Sequence, residues 1–277
     1  MIQNYIIHRL IQSALEEDIS TGDITTTASL TGGEVGGAKA FAKSNIIMAG
    51  IDVFRQVFLF LDNSIQFSGL CEDGRLVKRG GILAEITGNL GSILSAERVA
   101  LNFLQRMCGI ATLTRQYVDE IKGTQAKILD TRKTVPGLRY LDKYAVRIGG
   151  GTNHRYGLYD GILIKDNHIA AAGGISKALA RVRVRIPHTL KVEVEVKNLL
   201  EVEEALVSGA DIIMLDNMTN EDMRKAVAVV NRKVPLEASG NITLANVRKV
   251  AETGVDFISV GALTHSAPAS DISLKIE

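Results

Sequence analysis

The chain has 277 residues, of which 46% are hydrophobic and 23% charged, a balance typical of an ordinary soluble globular protein. Its formal net charge of +1 argues against bulk attraction to nucleic acid or to an acidic membrane. No apolar run approaches the roughly 18 residues of a membrane span, and the first residues lack the pattern of a secretory signal. We therefore predict a cytoplasmic protein without membrane or nucleic-acid partners, in which any anion site comes from local clustering of basic residues.

Residues 1–110 mix short strand patterns with helical ones. The strand-like segments are Ala38 to Ile47, Ser64 to Gly69 and Leu76 to Ile86, and Ile51 to Leu61 is an apolar helix candidate. This mixture predicts a small α/β sandwich domain. A long helix then runs from about Leu94 to Ile121, where Gly109 is expected to bend or break it.

Residues 111–277 read as a repeating strand–helix pattern, which predicts parallel strands. Six strands are predicted: Ala126 to Asp130, Gly161 to Lys165, Val192 to Glu195, Ile212 to Asp216, Leu236 to Gly240, and Phe257 to Gly261. Six strands favour an incomplete (β/α) barrel as much as a complete one of eight. A doubly wound open sheet is the alternative, although its Gly-rich dinucleotide signature is missing.

Polar or small residues end each of these strands, at or near Asp130, Lys165, Glu195, Asp216, Ser239 and Gly261. The carboxyl ends of parallel barrel strands meet on one rim, where such barrels hold their active sites. Glu195 and Asp216 end successive strands and could hold Mg²⁺, directly or through water, or bind ribose hydroxyls. Glu193 alternates onto the same face as Glu195 and is expected one layer deeper.

Basic residues are concentrated between Asp130 and His168. Their number in a nearly neutral protein predicts a pocket for an anion with several charges. The strand-end residues Arg132, Lys133 and Lys165 are the favoured ligands, whereas Arg139, Lys143 and Arg147, spaced by four, favour a solvated helix face. The run from Gly149 to Gly151 predicts a flexible loop that lets backbone approach a ligand, next to His154 and Arg155.

The loops after the last two strands predict a phosphate site. Ser239 and Gly240 follow one strand, Gly261 follows the other, and small residues there leave backbone N–H groups accessible. His265 stands nearby and could equally be a surface residue.

A series of short motifs follows in order along nearly the whole chain: Glu16-Glu17-Asp18 with Gly22-Asp23-Ile24-Thr25, Glu97-Arg98, Gly109 to Thr112, Asp130 to Thr134, Gly149 to Gly151 with Asn153-His154-Arg155, Ile164 to His168, Val192 to Glu195, Leu215-Asp216-Asn217 and Glu237 to Gly240. In these motifs the chain resembles the quinolinate phosphoribosyltransferase family. The resemblance implies an N-terminal α/β sandwich, an incomplete α/β barrel, and a homodimer whose active site uses both subunits.

The resemblance also implies residue roles. Arg98 would reach into the partner's site and bind quinolinate, while Arg132, His154 and Arg155 would hold its carboxylates. Lys133 and Lys165 would face the phosphates of PRPP, the second substrate. Glu195 and Asp216 would hold the ribose hydroxyls and Mg²⁺, and Ser239, Gly240 and Gly261 the 5-phosphate; His265 is kept as a further substrate-binding candidate.

Three other functions compete with this interpretation. One is a relative on the same fold associated with molybdenum transport operons, which departs at the motif seen here as Lys165 to His168. Another is a Schiff-base aldolase that uses Lys165. The third is a barrel that binds pyridine carboxylates without turnover, which would have no need for PRPP ligands.

Overall fold

The computed structural model describes residues 4–277. The first three residues, which belong to the segment predicted to lack a secretory signal, lie outside the described residues. The chain divides into two compact units. The first contains the described residues up to Arg115, with Thr134–Gly150 and Thr264–Glu277; the second contains Gln116–Lys133 and Gly151–Leu263. Among the described residues, no helix is long and apolar enough to cross a membrane.

The elements follow one another in a strand–helix order. Up to the first long helix they are α1 (Asn4–Ile19), α2 (Ile24–Ser29), β1 (Val35–Ala42), β2 (Ile46–Ile47), α3 (Ile51–Leu61), β3 (Gln66–Ser68), β4 (Leu76–Val77), β5 (Ile82–Asn89) and α4 (Leu90–Glu120). The remainder are β6 (Lys127–Leu129), α5 (Arg139–Ile148), β7 (Ile162–Ile164), α6 (Asp166–Ala172), α7 (Ile175–Arg183), β8 (Val192–Val196), α8 (Leu199–Val207), β9 (Ile212–Asp216), α9 (Asn220–Val230), β10 (Leu236–Ser239), α10 (Val247–Ala251), β11 (Phe257–Ser259), α11 (Ala262–His265) and β12 (Ile272–Ile276).

The first unit is built on an antiparallel sheet of order β12-β1-β5-β3. Every second residue of the later part of β1 is buried (Ala38, Ala40 and Ala42), because alternate side chains of a strand point to opposite faces. Helix α3 covers this sheet, and the ring of its Phe58 meets Phe67 of β3 edge-on at 5.8 Å. The α/β sandwich predicted from the sequence is confirmed.

Helix α4 continues through Gly109 without interruption, so the predicted break is wrong. The glycine has a packing role instead. A Cβ atom at this position would overlap the carbonyl oxygen of Pro268 and lie 3.2 Å from the Cα of Ala269, both in the segment before β12. Only glycine lets this segment approach the helix so closely.

Gly109→Ala should destabilise the fold by about 2 kcal/mol or more, because backbone atoms have to move to admit the methyl group. Urea denaturation of the wild type and of the variant measures the difference in their free energies of unfolding. Gly37→Ala is the matched control: the nearest atom to its Cβ is the Ile86 carbonyl oxygen at 3.7 Å, an ordinary contact. Equal midpoints for the two variants would contradict the packing role.

Helix α5 does not carry the solvated basic face expected from its spacing. Lys143 is fully buried and only Arg147 of the three is exposed, because α5 packs within the first unit. Buried Asp142 receives two hydrogen bonds from the Arg106 guanidinium, at 2.8 and 2.7 Å. Burial nevertheless raises the pKa of Asp142, with the arginine opposing it.

Gly149, which ends α5, is also a packing glycine. A Cβ there would lie 2.6 Å from the Ala111 carbonyl oxygen and 2.6 Å from the Thr114 Cβ. This glycine therefore serves the contact of α5 with α4, which the prediction of a flexible ligand loop did not foresee.

The second unit contains six parallel strands in the order β6-β11-β10-β9-β8-β7. The first strand, β6, pairs with the last, β11, as in a barrel, whereas a doubly wound sheet would place its first strand centrally. No ladder joins β6 to β7; Thr152 alone bridges to Leu129 on that side of β6. The incomplete barrel is therefore confirmed, with its gap between β6 and β7.

Candidate active site

Polar side chains stand at the carboxyl ends of the second unit's strands. Lys165 follows β7, Glu195 lies near the end of β8, and Asp216 and Ser239 end β9 and β10. Asp216 lies opposite Ser239 in the parallel register, and Glu195 lies two residues deeper, opposite Met214. Because side chains alternate along a strand, Glu195, Asp216 and Ser239 all face the same side of the sheet.

An ion pair joins β7 to β8 at this rim. The Lys165 Nζ donates to Glu195 Oε2 at 2.7 Å; the carboxylate is buried, while nearly half of the lysine side chain is exposed. Helix α6 begins at the next residue, and His168 Nδ1 accepts a hydrogen bond from the backbone N–H of Lys165 at 3.0 Å. The lysine is thus held at the strand–helix junction with its charge accessible to an anion.

Lys197 is a second rim lysine, which the sequence analysis did not single out. It follows β8 directly and donates to Asp166 Oδ2 at 3.0 Å. Asp166 is the main cause of its raised pKa, and Asp216 and Glu195 add to the effect. Its position just after a predicted strand was the signal that could have identified it.

Buried Asp130 anchors the segment that bridges to β6. Its carboxylate accepts a hydrogen bond from the backbone N–H of His154 at 2.9 Å and another from the Asn153 side-chain amide. These contacts fix the backbone immediately before Arg155.

Arg155 presents a guanidinium that is only partly satisfied within the protein. Its Nη1 donates to the Gly161 carbonyl oxygen at 2.8 Å. Its Nε is buried and has no hydrogen-bond partner in the part of the chain that the structure describes. Burial lowers the pKa of Arg155, and the nearby positive charge of Arg132 lowers it further. Two cationic groups with an unused buried donor form a site that favours an anion.

A buried polar cluster includes Glu193, whose charge acts on this guanidinium. His154 Nε2 is 3.0 Å from Glu193 Oε2 and 3.7 Å from Glu237 Oε2, and both carboxyl groups are almost fully buried. Burial and the neighbouring Glu193 charge raise the pKa of Glu237 well above its ordinary range. Glu193 lies deeper than Glu195, as its place in the strand predicted. Glu237 appeared in the sequence analysis only within a motif, because an isolated strand carboxylate carries no distinguishing pattern.

The loops after β9 and β10 interlock. Asn217 adopts a left-handed backbone (φ 54°), donates from Nδ2 to Asp216 Oδ2 at 3.0 Å, and accepts from Asn241 Nδ2 at 3.0 Å. Gly240 has φ 99°, and a Cβ there would overlap the Asn217 amide oxygen. Asn217 and Asn241 were missed as site-shaping residues; asparagine after a strand end, which tolerates left-handed backbone, was the available signal.

The structure brings most of the predicted site residues to one end of the second unit's strands. They are Arg132, Lys133, His154, Arg155, Lys165, Glu195, Asp216, Ser239, Gly240 and Gly261. The other two belong to the first unit: Arg98 is exposed on α4, and His265 is exposed at the end of α11.

The carboxylates at the rim suit a hard divalent cation. Glu195 and Asp216 offer oxygen ligands on one side of the sheet, and each keeps one oxygen that the neighbouring Lys165 or Asn217 does not use in these hydrogen bonds. Mg²⁺ prefers such oxygens together with water and substrate phosphates. The donor set therefore fits Mg²⁺.

The fold and the site together define a (β/α)-barrel enzyme that handles multiply charged anions. Family models identify it further: the model described as "Quinolinate phosphoribosyl transferase, N-terminal domain" matches residues 23–108, and that for the C-terminal domain matches residues 110–275. The chain belongs to the quinolinate phosphoribosyltransferase family.

Individual relatives agree with this assignment. The chain is 47% identical over 274 residues to a probable nicotinate-nucleotide pyrophosphorylase (carboxylating) of Synechocystis, covering 98% of this chain and 92% of that protein. It is 44% identical over 270 residues to a Bacillus subtilis protein of the same name, covering 98% and 93%. The solved nicotinate-nucleotide pyrophosphorylase from Francisella tularensis is 45% identical with a TM-score of 0.96, covering 100% of this chain and 98% of that one.

Proposed function

We propose that this chain is a decarboxylating quinolinate phosphoribosyltransferase. It joins quinolinate to the ribose phosphate of PRPP and releases pyrophosphate and CO2, giving nicotinate mononucleotide for NAD biosynthesis. Family membership and the names of relatives matched over nearly their full length support the reaction. The structural observation that supports the proposed reaction most directly is the buried Nε of Arg155, which has no partner among the described residues and lies near the charge of Arg132. Such a site is suited to a carboxylate.

Quinolinate carries two carboxylates on a pyridine ring. Arg132 and Arg155 hold them, since a guanidinium matches a carboxylate with planar, paired donors. His154 belongs to the same subsite. Nicotinate has a single carboxylate and leaves part of this charge unsatisfied, so it should be a poor substrate.

PRPP occupies the remaining rim. Lys133 and Lys165 face its pyrophosphate, and Glu195 and Asp216 bind the ribose hydroxyls. The loops with Ser239, Gly240 and Gly261 take the 5-phosphate, and His265 remains a candidate for the same substrate. The exposed ammonium of Lys165, held by Glu195 at 2.7 Å, supports its assignment to an anionic ligand.

The chemistry needs positioning and electrostatics more than covalent catalysis. The anomeric carbon acquires positive charge as pyrophosphate departs; lysine charges stabilise the leaving group, while Glu195 and Asp216 favour the cationic ribose. The pyridine nitrogen forms the new bond, and the resulting pyridinium stabilises the electron pair left at C2 when the 2-carboxylate departs as CO2. C2 then takes up a proton from water to give the product. Glu195 and Asp216 would also hold Mg²⁺, which supplies charge neutralisation for pyrophosphate.

We also propose a homodimer with shared active sites, in which Arg98 of one subunit binds quinolinate in the other. The support is the family resemblance and the exposed position of Arg98 on α4. A cytoplasmic location belongs to the same proposal.

The direct test is incubation with quinolinate, PRPP and Mg²⁺, following nicotinate mononucleotide and CO2 together. We expect the two products in equal amounts, with nicotinate inert as a parallel substrate. Protein carrying Lys165→Ala, purified identically, controls for a contaminating enzyme. No turnover by folded protein would reject the proposed function.

Gly240→Ala should raise the KM for PRPP about tenfold, because a methyl group there overlaps Asn217 and reshapes the phosphate loop. Steady-state kinetics with quinolinate saturating measures the effect. Gly254→Ala is the control for backbone strain: its φ of 97° is similar, but it lies at the opposite ends of the strands, with Val227 at 3.3 Å. A KM that changes equally in both variants would show that general strain, and not the phosphate loop, is responsible.

A further inference from the structure

Both ring nitrogens of His154 are engaged within the chain. The backbone N–H of Arg155 donates to Nδ1 at 2.7 Å, and Nε2 lies 3.0 Å from Glu193 Oε2. A nitrogen that accepts an N–H bond has no proton of its own. Nδ1 therefore carries the lone pair, and the proton of a neutral ring sits on Nε2 and points at Glu193.

This tautomer has two consequences. The Nε2 atom donates a hydrogen bond and has no lone pair left for a metal, although His154, Glu193 and Glu237 place their ligand atoms within 4.8 Å of one another. In addition, neither ring nitrogen is directed at a substrate carboxylate, because each is used by a protein group.

Glu193 and Glu237 are two buried carboxyl groups whose oxygens lie within 4.8 Å of each other. They are 5% and 2% exposed and their carboxyl oxygens are close neighbours, so two buried negative charges would repel strongly. One oxygen of each group has no hydrogen-bond partner among the described residues. Glu193 therefore stands between the His154 Nε2 atom, 3.0 Å away, and the neighbouring carboxyl group of Glu237.

We propose that His154, Glu193 and Glu237 form a hydrogen-bonded positioning unit that holds the backbone N–H of Arg155, and so aims its guanidinium at the substrate carboxylate. This inference rests on the proposed function for the identity of that carboxylate. It narrows the role of His154 from a quinolinate ligand, as the resemblance implies, to a residue that acts through Arg155. The unit spans β8 and β10 and the segment after Thr152, so it ties the guanidinium to the barrel interior.

Variants of the two glutamates distinguish their roles. Glu237→Ala should raise the KM for quinolinate about tenfold, with the KM for PRPP changed less than about twofold, because only the carboxylate subsite is loosened. Glu237→Gln should keep a KM near that of the wild type, since its amide group has the same shape and can donate to Glu193. Glu193→Gln should behave like Glu237→Ala, because its amide nitrogen either faces the Nε2–H of His154 or takes the unpartnered Oε1 position and leaves buried donors unsatisfied. Exposed Glu203→Gln is the matched control and should equal the wild type.

Three outcomes would overturn the proposal: Glu237→Gln as impaired as Glu237→Ala, Glu193→Gln equal to the wild type, or equal changes in KM for both substrates. Thermal melts identify any variant that fails to fold; the comparison of the two Gln variants then stands without the Ala variant.

A spectroscopic measurement is independent of turnover. In protein labelled with ¹⁵N-histidine, two-bond ¹H–¹⁵N spectra report the tautomer of each of the five rings, and His154→Gln identifies the signal of His154. We expect the neutral Nε2–H form in the wild type. An Nδ1–H or doubly protonated ring would overturn the proposal even in an active enzyme. If the spectra show the expected tautomer but the protein is inactive on quinolinate, the proposed function is rejected and the positioning unit is not.

Discussion

Arg155→Ala should lower kcat/KM for quinolinate about a thousandfold, or about 4 kcal/mol, while the fold persists. The guanidinium is half-buried, its Nε has no partner within the described residues, and its charge lies near that of Arg132. Because the protein leaves the Nε donor without a partner among the described residues, we expect the substrate carboxylate to interact with this guanidinium. Removing the side chain should relieve its repulsion with Arg132 in the free enzyme. The variant should therefore stay folded, and the defect should appear in substrate binding and catalysis.

Two further variants sharpen this expectation. Arg155→Lys keeps the charge without the planar pair of donors and should retain activity between the alanine variant and the wild type. Arg181→Ala, at an exposed position late in α7, controls for loss of a positive charge and should be unchanged. Near-normal kcat/KM for Arg155→Ala, with an unchanged melting temperature, would remove Arg155 from the carboxylate site.

Mixing two inactive variants should restore activity if subunits share their sites. Arg98→Ala and Lys165→Ala are each expected to be inactive as homodimers. In a mixed dimer, one site combines an intact Lys165 with the intact Arg98 of its partner, and the other site lacks both. Random exchange makes half of the dimers mixed, so about a quarter of the wild-type activity should return.

The matched control is a mixture of Arg155→Ala with Lys165→Ala. The proposal assigns both residues to the site of their own chain, so every site in a mixed dimer remains defective and no activity should return. Subunit exchange is verified by native mass spectrometry of differently tagged chains. Verified exchange without recovery in the Arg98 mixture would contradict the shared site.

Local pattern was sufficient for the strands and for the residues that end them. Runs such as Val192 to Glu195 and Ile212 to Asp216 are short, apolar and bounded by turns, and the structure has strands there. Strand direction followed from the intervening helices, and direction alone brings the strand ends to one rim. Helix α3 was predicted at its observed bounds for the same reason: a continuous apolar stripe between turn signals.

Local pattern failed where a distant segment determines the environment. Lys143 has the spacing of a solvated face yet is fully buried, and Gly109 lies inside a continuous helix because a segment near Pro268 packs against it. The residues that are neighbours of Lys143 and Gly109 in sequence do not indicate either environment. The same holds for Asp142, whose partner Arg106 lies 36 residues away.

The sequence by itself therefore determined the strand–helix alternation, the parallel direction of the strands and the identity of the charged groups at their ends, because side-chain periodicity and turn chemistry act over a few residues. The pairing of β6 with β11, which distinguishes the barrel from an open sheet, came from the structure. Only the tertiary structure decided which groups meet. His154 and Glu193 are 39 residues apart, and Glu237 joins them from a strand two places away in the sheet. Their contact depends on strand order and register, and its energy on burial that no single segment provides.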